Sequence, residues 1–180
     1  MRTSHVLAVL GLCALGFFGI GLSRDGLADL SEDQAKTSLI YNFTKFVQWP
    51  AGTPDKILAV CVYRDDPILP TLTGLRSRTS KGMAISVQRV NTLDEARACQ
   101  VLFVDQSEKG SLRGVIQALR GQPVLLVSDV VDSASAGAVV EVFLSDRRIA
   151  FKINKAMADE ANLKLSAQLL SLAKTLYEKK

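Results

Sequence analysis

Four polar residues lie at the ends of apolar segments, where a parallel sheet presents side chains to a ligand. Asp65, Asp105, Ser128 and Asp129 each stand at or just beyond the end of a short run rich in Val, Ile and Leu. In open α/β sheets ligands bind at the carboxyl ends of the strands, so these four residues are a candidate small-ligand site. The aspartates are also suited to capping the following helix, and that structural role is the more frequent one.

A phosphate-accepting aspartate of the response-regulator type is a narrower interpretation of the same residues. Such a receiver domain needs an acidic pair for Mg²⁺ and a lysine after a later strand. Here the run over residues 124–128 is followed by Asp129, not by lysine. The receiver interpretation is therefore disfavoured.

The sequence contains none of the common catalytic motifs. Those of serine hydrolases, zinc proteases, P-loop enzymes and dinucleotide-binding enzymes are absent, and the only histidine is His5. A carboxylate pair could hydrolyse sugars without histidine, but a domain of this size rarely forms the long cleft that the reaction needs. We therefore predict a protein that is not an enzyme, with no catalytic residue, metal site or cofactor.

Residues 1–28 have the pattern of a secretory signal peptide. Arg2 precedes an apolar run over residues 6–22, and Gly26-Leu27-Ala28 places small residues at the −3 and −1 positions of a cleavage site. The run is at the short limit for a membrane span, so cleavage near Ala28 is favoured over a retained anchor. We predict an exported, periplasmic protein whose residues 29–180 form a single domain.

The charge of the mature chain argues against nucleic acid as a partner. Cleavage leaves 20 basic and 17 acidic residues, a net charge of +3 in place of +4 for the whole sequence. The basic residues are spread along the chain and form no run suited to a phosphate backbone.

Two cysteines remain once Cys13 is removed with the signal peptide. Cys61 and Cys99 form an even pair in a chain sent to an oxidising compartment, which favours a disulfide. Closing a loop of 38 residues would stabilise the fold by about 3 to 4 kcal/mol. Two separate buried thiols are the alternative.

The segment from Ser31 to Pro50 is predicted to be an amphipathic helix rich in aromatic residues. Ser31 and Gln34 form a capping box, and Pro50 disfavours helical geometry at the residue before it. Tyr41 points nearly opposite the apolar face and Trp49 lies on its flank, so these two are candidates for contact with a partner. For Trp49, packing at the end of the core is the favoured role. The residues predicted to form the apolar face are Ala35, Leu39, Phe43, Phe46 and Val47.

Short β-branched segments alternate with helical segments along the rest of the chain. Strands are predicted over residues 57–63, 85–90, 101–104 and 124–127, and a helix over 108–120. Near-continuous apolar strands between helices indicate a mostly parallel sheet that is covered on both faces. The predicted fold class is therefore α/β with three layers, a mostly parallel sheet flanked by helices.

The C-terminal part is predicted to add an antiparallel hairpin and a final helix. Strands over 137–144 and 147–154 are joined at Ser145-Asp146, and a helix over 164–178 follows. The hairpin carries more apolar side chains than one buried sheet face needs, which makes it the favoured surface for a partner. The residues concerned are Val140, Val142, Phe143 and Phe151.

Several segments in order along the mature chain resemble the YfiR-like family of periplasmic proteins. An aromatic-rich helix ending in Trp-Pro and an "F-x-IN" turn before the last helices are together fairly specific to that family. The matching segments are QAKTSLIYNFTKFVQWP at 34–50, ILAVCVYRDDP at 57–67, ACQVLFVDQSE at 98–108, PVLLVSDV at 123–130 and RRIAFKINKAMADEANLKLSAQLLSLAK at 147–174.

The resemblance implies a periplasmic repressor of an inner-membrane diguanylate cyclase. Such a protein binds the periplasmic sensor domain of the cyclase and lowers cyclic-di-GMP synthesis, and an OmpA-like outer-membrane lipoprotein captures some members. Cys61 and Cys99 match the disulfide of the family. The sequence leaves the oligomeric state open, a homodimer included.

Overall fold

An eight-stranded sheet and a separate two-stranded sheet organise residues 31–53 and 56–178, which are the residues that the computed structural model describes. The predicted signal peptide lies outside these residues and stays a prediction. The strands are β1 Val47–Gln48, β2 Ile57–Tyr63, β3 Thr79–Ser80, β4 Met83–Val90, β5 Val101–Val104, β6 Leu125–Ser128, β7 Val140–Ser145, β8 Arg148–Asn154, β9 Lys164–Leu165 and β10 Thr175–Tyr177.

Seven α-helices accompany the strands in the described residues, together with 3₁₀ turns at Gly74–Ser77 and Gln106–Glu108. The longest are α1 and α4, which lie in two of the segments predicted to be helical. The helices are α1 Glu32–Phe46, α2 Leu69–Thr73, α3 Leu93–Arg97, α4 Lys109–Leu119, α5 Ser133–Ala136, α6 Lys155–Glu160 and α7 Ala167–Leu172.

The large sheet has the strand order β10-β8-β7-β6-β5-β2-β4-β3 and is mostly parallel. Only the β3–β4 and β7–β8 pairs are antiparallel. Strands β5 and β6 are buried at every position, because helices cover both faces of the sheet. The predicted three-layer α/β fold is confirmed.

Alternate residues of the central strands enter two different cores. Val101 and Phe103 of β5 pack into the core under α1, which includes Phe43. Leu102 and Val104 of the same strand pack into the core under α4. This alternation follows from the period of two in a strand.

Helix α1 begins as predicted, and Phe43 and Val47 of the predicted face are buried, but the centre of the buried face is shifted toward Ile40. The Ser31 hydroxyl accepts a hydrogen bond from the Gln34 N–H (3.2 Å), and the Gln34 side chain accepts one from the Ser31 N–H (3.0 Å). Lys36, Ile40 and Phe43 are buried, whereas Leu39 and Phe46 of the predicted face are only half-buried. The helix also ends at Phe46, before the proline, because β1 pairs with β9.

The C-terminal hairpin is confirmed, with its turn one residue later than predicted. Ser145 pairs with Arg148, so Asp146 and Arg147 form the turn. Both have positive φ, 49° and 62°, which a tight two-residue hairpin turn requires.

The predicted helix over 164–178 is wrong in its bounds. The segment holds β9, the short helix α7 and β10, and only α7 is helical. Ser166 begins α7 by accepting a hydrogen bond from the Leu169 N–H (3.1 Å). Strand pairing of β9 with β1 and of β10 with β8 overrides the helical spacing of the leucines.

Candidate functional site

The carboxyl edge of the sheet gathers three aspartates and a lysine. Asp66, Asp105 and Asp129 follow β2, β5 and β6, which are neighbouring parallel strands and therefore end at the same edge. Lys36 reaches this edge from α1, and its ammonium lies 2.6 Å from the Asp129 carboxylate and 2.8 Å from that of Glu32.

The Lys36–Asp129 ion pair is almost inaccessible to solvent. The two side chains are 11% and 8% exposed. Burial acts to lower the pKa of Lys36, but hydrogen bonds with Asp129 and Glu32 outweigh it and raise that pKa above its ordinary value. Burial raises the pKa of Asp129, and the Lys36 ammonium acts against that rise. Each charge therefore depends on the other.

Burial also raises the pKa of Asp66, the second carboxyl group at this edge with a raised pKa. Burial first, and then the nearby carboxylates of Asp105, Asp129 and Asp33, raise its pKa to about 6. Its Oδ1 accepts a hydrogen bond from the Ile68 N–H (2.8 Å).

Two carboxylate oxygens at this edge are buried without a hydrogen-bond partner in the described residues. They are Asp66 Oδ2 and Asp129 Oδ1. A buried carboxylate oxygen normally accepts a hydrogen bond, so these two atoms mark the positions where a proton or a donor group would be stabilised.

The structure brings together two of the four residues that the sequence predicts to bind a ligand. Asp105 and Asp129 share the edge, and Asp105 also caps the following turn by accepting the Ser107 N–H (2.8 Å). Burial acts to raise the pKa of Asp105, but hydrogen bonds from Ser107 and Gln106 and the charge of Lys36 lower it overall. Ser128 is buried, where its hydroxyl donates to Val104 O (2.7 Å).

Asp65 lies apart from the other predicted ligand residues. Its side chain is 89% exposed and forms an ion pair with Arg89 on the surface. Its neighbour Asp66 takes the inward position instead. The sequence contains both residues in one Asp-Asp pair, and nothing in the pair itself indicates which of them points inward.

Lys36 is the residue of this edge that the sequence analysis missed. It shares helical spacing with Ile40, Phe43 and Val47, all of which are fully buried. A lysine in register with buried residues signals a partner of opposite charge, because lysine is rarely buried unpaired.

The amino edge of the sheet is built around Trp49. Its indole Nε1 donates a hydrogen bond to Gln100 O (3.1 Å), and its half-buried ring packs against the core under α1. The Gln100 side chain is itself fixed, because its Oε1 accepts the Ala59 N–H (2.7 Å). These contacts support the packing role that the sequence favours for Trp49.

Two depressions open beside Trp49. One has a volume of about 180 Å³ and is lined mainly by apolar residues that include Val47, Leu58 and Met83. The other has a volume of about 550 Å³ and a more polar wall formed by the connection between α6 and β9.

The remaining residues predicted to contact a partner are mostly occupied within the fold. The Tyr41 hydroxyl donates to Thr79 O (3.0 Å). Val140, Val142 and Phe151 lie in the core with exposed fractions of 0%, 0% and 6%. Phe143 is the half-buried member of the hairpin group, with the Lys152 ammonium 5.3 Å from its ring centroid. Three of the four hairpin residues are therefore part of the core, and binding of a partner by this group stays a prediction.

The structure contains the Cys61–Cys99 disulfide that the sequence predicts, with the two Cα atoms 6.0 Å apart. Both cysteines are buried, in the core under α4. Within residues 31–53 and 56–178, no group of three or more His, Cys, Asp or Glu side chains is placed to hold a metal ion. In the same residues no helix has the length and apolar character needed to cross a membrane.

The described residues form a small disulfide-bonded α/β domain with a mostly parallel sheet. The sequence profile of the YfiR/HmsC-like family matches residues 33–174, and the chain belongs to that family.

Two solved structures share the fold at low sequence identity. A conserved domain protein from Vibrio cholerae O1 biovar El Tor aligns with a TM-score of 0.57 and 13% identity over 82% of this chain. The ABC domain in complex with L-Trp from Streptococcus pneumoniae aligns with a TM-score of 0.52 and 12% identity over 80% of this chain. The aligned part spans 61% of each of those proteins. At these identities the likeness concerns the fold alone.

Proposed function

We propose that the protein is a periplasmic regulator that represses an inner-membrane diguanylate cyclase by binding the periplasmic sensor domain of that enzyme. Membership of the YfiR/HmsC-like family carries the proposal, since that family suggests a periplasmic regulator of diguanylate cyclase. Binding holds down cyclic-di-GMP synthesis and thereby biofilm formation.

Two features of the chain support this proposal. The N-terminal pattern up to Ala28 is typical of a secretory signal peptide, and the Cys61–Cys99 disulfide suits an oxidising compartment. The YfiR-like family is regulatory rather than catalytic, in keeping with a mature chain that lacks histidine.

The test uses the full chain, expressed with its N-terminal segment, and a membrane diguanylate cyclase with a periplasmic domain encoded in the same genome. We expect the chain in the periplasmic fraction, lower cellular cyclic-di-GMP on its expression, and direct binding to the purified periplasmic domain. Unchanged cyclic-di-GMP in cells that contain the exported, folded chain would contradict the proposal.

Two associations beyond the cyclase rest on the resemblance alone. Capture by an OmpA-like outer-membrane lipoprotein would release the cyclase, and a homodimer would present two copies of each surface. Pull-down from a periplasmic extract and sedimentation of the purified chain test these associations separately.

A second candidate function is small-ligand sensing at the carboxyl edge. The observation that favours it is the pair of unsatisfied buried oxygens, Asp66 Oδ2 and Asp129 Oδ1, which suit a ligand with an ammonium group. The Streptococcus pneumoniae domain of the same fold is described in complex with an amino acid, L-Trp. Calorimetry with a panel of amino acids tests the idea, with Asp129→Asn expected to abolish any heat and the exposed Asp65→Asn expected to leave it unchanged.

A further inference from the structure

The two depressions beside Trp49 form one surface feature, which we call the Trp49 groove. It is defined by Trp49 and Pro50 in the middle, by Lys81 and Met83 on one side and by Asn162 and Lys164 on the other. The 180 Å³ cavity on the Met83 side has room for one large apolar side chain. The depression on the Lys164 side is wider and more polar.

The walls of this groove are held in place without a ligand. The indole N–H of Trp49 is bonded to Gln100 O, and Gln100 is only 7% exposed. Pairing of Gln48 with Lys164, between β1 and β9, fixes the backbone on the other side of the ring. A rigid aromatic residue loses little conformational freedom on binding, which is why such residues anchor interfaces.

The groove carries uncompensated positive charge on both sides of Trp49. Neither Lys81 nor Lys164 forms an ion pair with a carboxylate among the residues the structure describes, although the Lys81 ammonium donates to Val47 O (2.6 Å). Among the lining residues that the structure describes, Asp159 is the one acidic residue, and it forms an ion pair with Lys155 at 2.6 Å. Charge complementarity therefore favours an acidic partner.

We propose that the Trp49 groove binds an extended acidic segment of a partner protein, with one large apolar side chain in the cavity between Trp49 and Met83 and carboxylates beside Lys81 and Lys164. The partner is the periplasmic sensor domain of the cyclase, so this inference rests on the proposed function. Trp49 then has two roles: its N–H donates a hydrogen bond to Gln100 O within the fold, and its ring lines both sides of the groove.

The experiment measures the affinity of the purified periplasmic domain for the wild-type chain and for three variants. Trp49→Ala removes the shared wall, and we expect binding to weaken by about tenfold or more. Lys164→Glu reverses one charge while keeping the β1–β9 backbone pairing, and we expect a loss of about three- to tenfold that shrinks at high salt. The matched control, Lys109→Glu, reverses an exposed charge at the start of α4 and should bind like the wild type.

Thermal unfolding of each variant shows whether it is folded. If Trp49→Ala does not fold, Lys164→Glu decides alone, since its side chain makes no contact that the fold needs among the described residues. Wild-type affinity in a folded groove variant overturns the assignment of the groove. Altered self-association with unchanged affinity for the domain also overturns it and identifies a second copy as the occupant. If the wild-type chain itself fails to bind the domain, the proposed function fails as well.

Discussion

The carboxyl and amino edges of the sheet lie at opposite ends of the same parallel strands, yet they use their charges in opposite ways. At the carboxyl edge Lys36 is enclosed with Asp129, and the aspartates interact with one another. At the amino edge Lys81 and Lys164 face solvent beside an apolar cavity. A buried charge is committed to its internal partner, whereas an exposed one stays free for another molecule. We therefore expect substitutions at the carboxyl edge to change mainly stability, and the amino edge is the better candidate for binding a protein.

The largest expected effect on stability comes from removing the buried cation of the carboxyl edge. Lys36→Met leaves Asp129 buried beside Asp66 and Asp105 with no compensating charge, which should lower the free energy of unfolding by about 3 to 5 kcal/mol at pH 7. The loss should be smaller at pH 5, where Asp129 takes up a proton more readily. Urea unfolding at the two pH values measures both effects.

Lys45→Met is the matched control on the same helix. Lys45 is exposed, and its polar contacts within the described residues are with Asn42 and the Tyr41 ring, so the substitution should change stability by less than about 0.5 kcal/mol. Equal losses in the two variants would show that the carboxyl edge does not depend on its ion pair.

Removal of the disulfide should lower stability without weakening binding at the amino edge. Replacing Cys61 and Cys99 with serine opens a loop of 38 residues, which should cost about 3 to 4 kcal/mol. Gln100 stays in place, because its backbone pairs with Ala59 and Leu125 independently of the bridge. We therefore expect a lower melting temperature and nearly unchanged affinity for the sensor domain at temperatures where the variant is folded.

Calorimetry gives the melting temperature, and the affinity measurement is repeated well below it. A large loss of affinity in the folded variant would mean that the bridge positions the amino edge directly. Free thiols on both residues of protein purified from the periplasm would remove the basis of this prediction.

The sequence predicted most of the fold because its central strands carry near-continuous apolar runs that only a covered parallel sheet accommodates. It failed at β9 and β10, where the leucine spacing is helical and pairing with β1 and β8 decides the structure. It located Asp105 and Asp129, since the end of a strand is a local feature. It missed Lys36, whose role depends on a contact 93 residues away in the chain. A local sequence pattern does not indicate which distant residues will pair.

The smallest expected effect concerns Asp66, and it has the opposite sign. In the folded protein its pKa is about 6, above the ordinary 3.8, so the folded state binds a proton more tightly than the unfolded chain. The stabilisation from this group is complete below about pH 4 and is lost as the pH rises through 6. Asp66→Asn keeps an acceptor for the Ile68 N–H and cannot ionise. We expect the variant to be about 1 to 2 kcal/mol more stable than the wild type at pH 7.5, after allowance for solvent near the carboxylate.

The pH dependence distinguishes this explanation from a general gain in packing. The advantage of Asp66→Asn should shrink steadily from pH 7.5 to pH 5 and nearly vanish at pH 4, because the wild-type carboxyl is then protonated. The neighbouring Asp65→Asn, at a side chain that is 89% exposed, should change stability by less than about 0.5 kcal/mol at every pH. Urea unfolding at intervals over this range measures the difference. If the difference in the free energy of unfolding between Asp66→Asn and the wild type does not change with pH, ionisation of Asp66 does not destabilise the fold. The contrast drawn between the charges of the two edges would then not apply to Asp66.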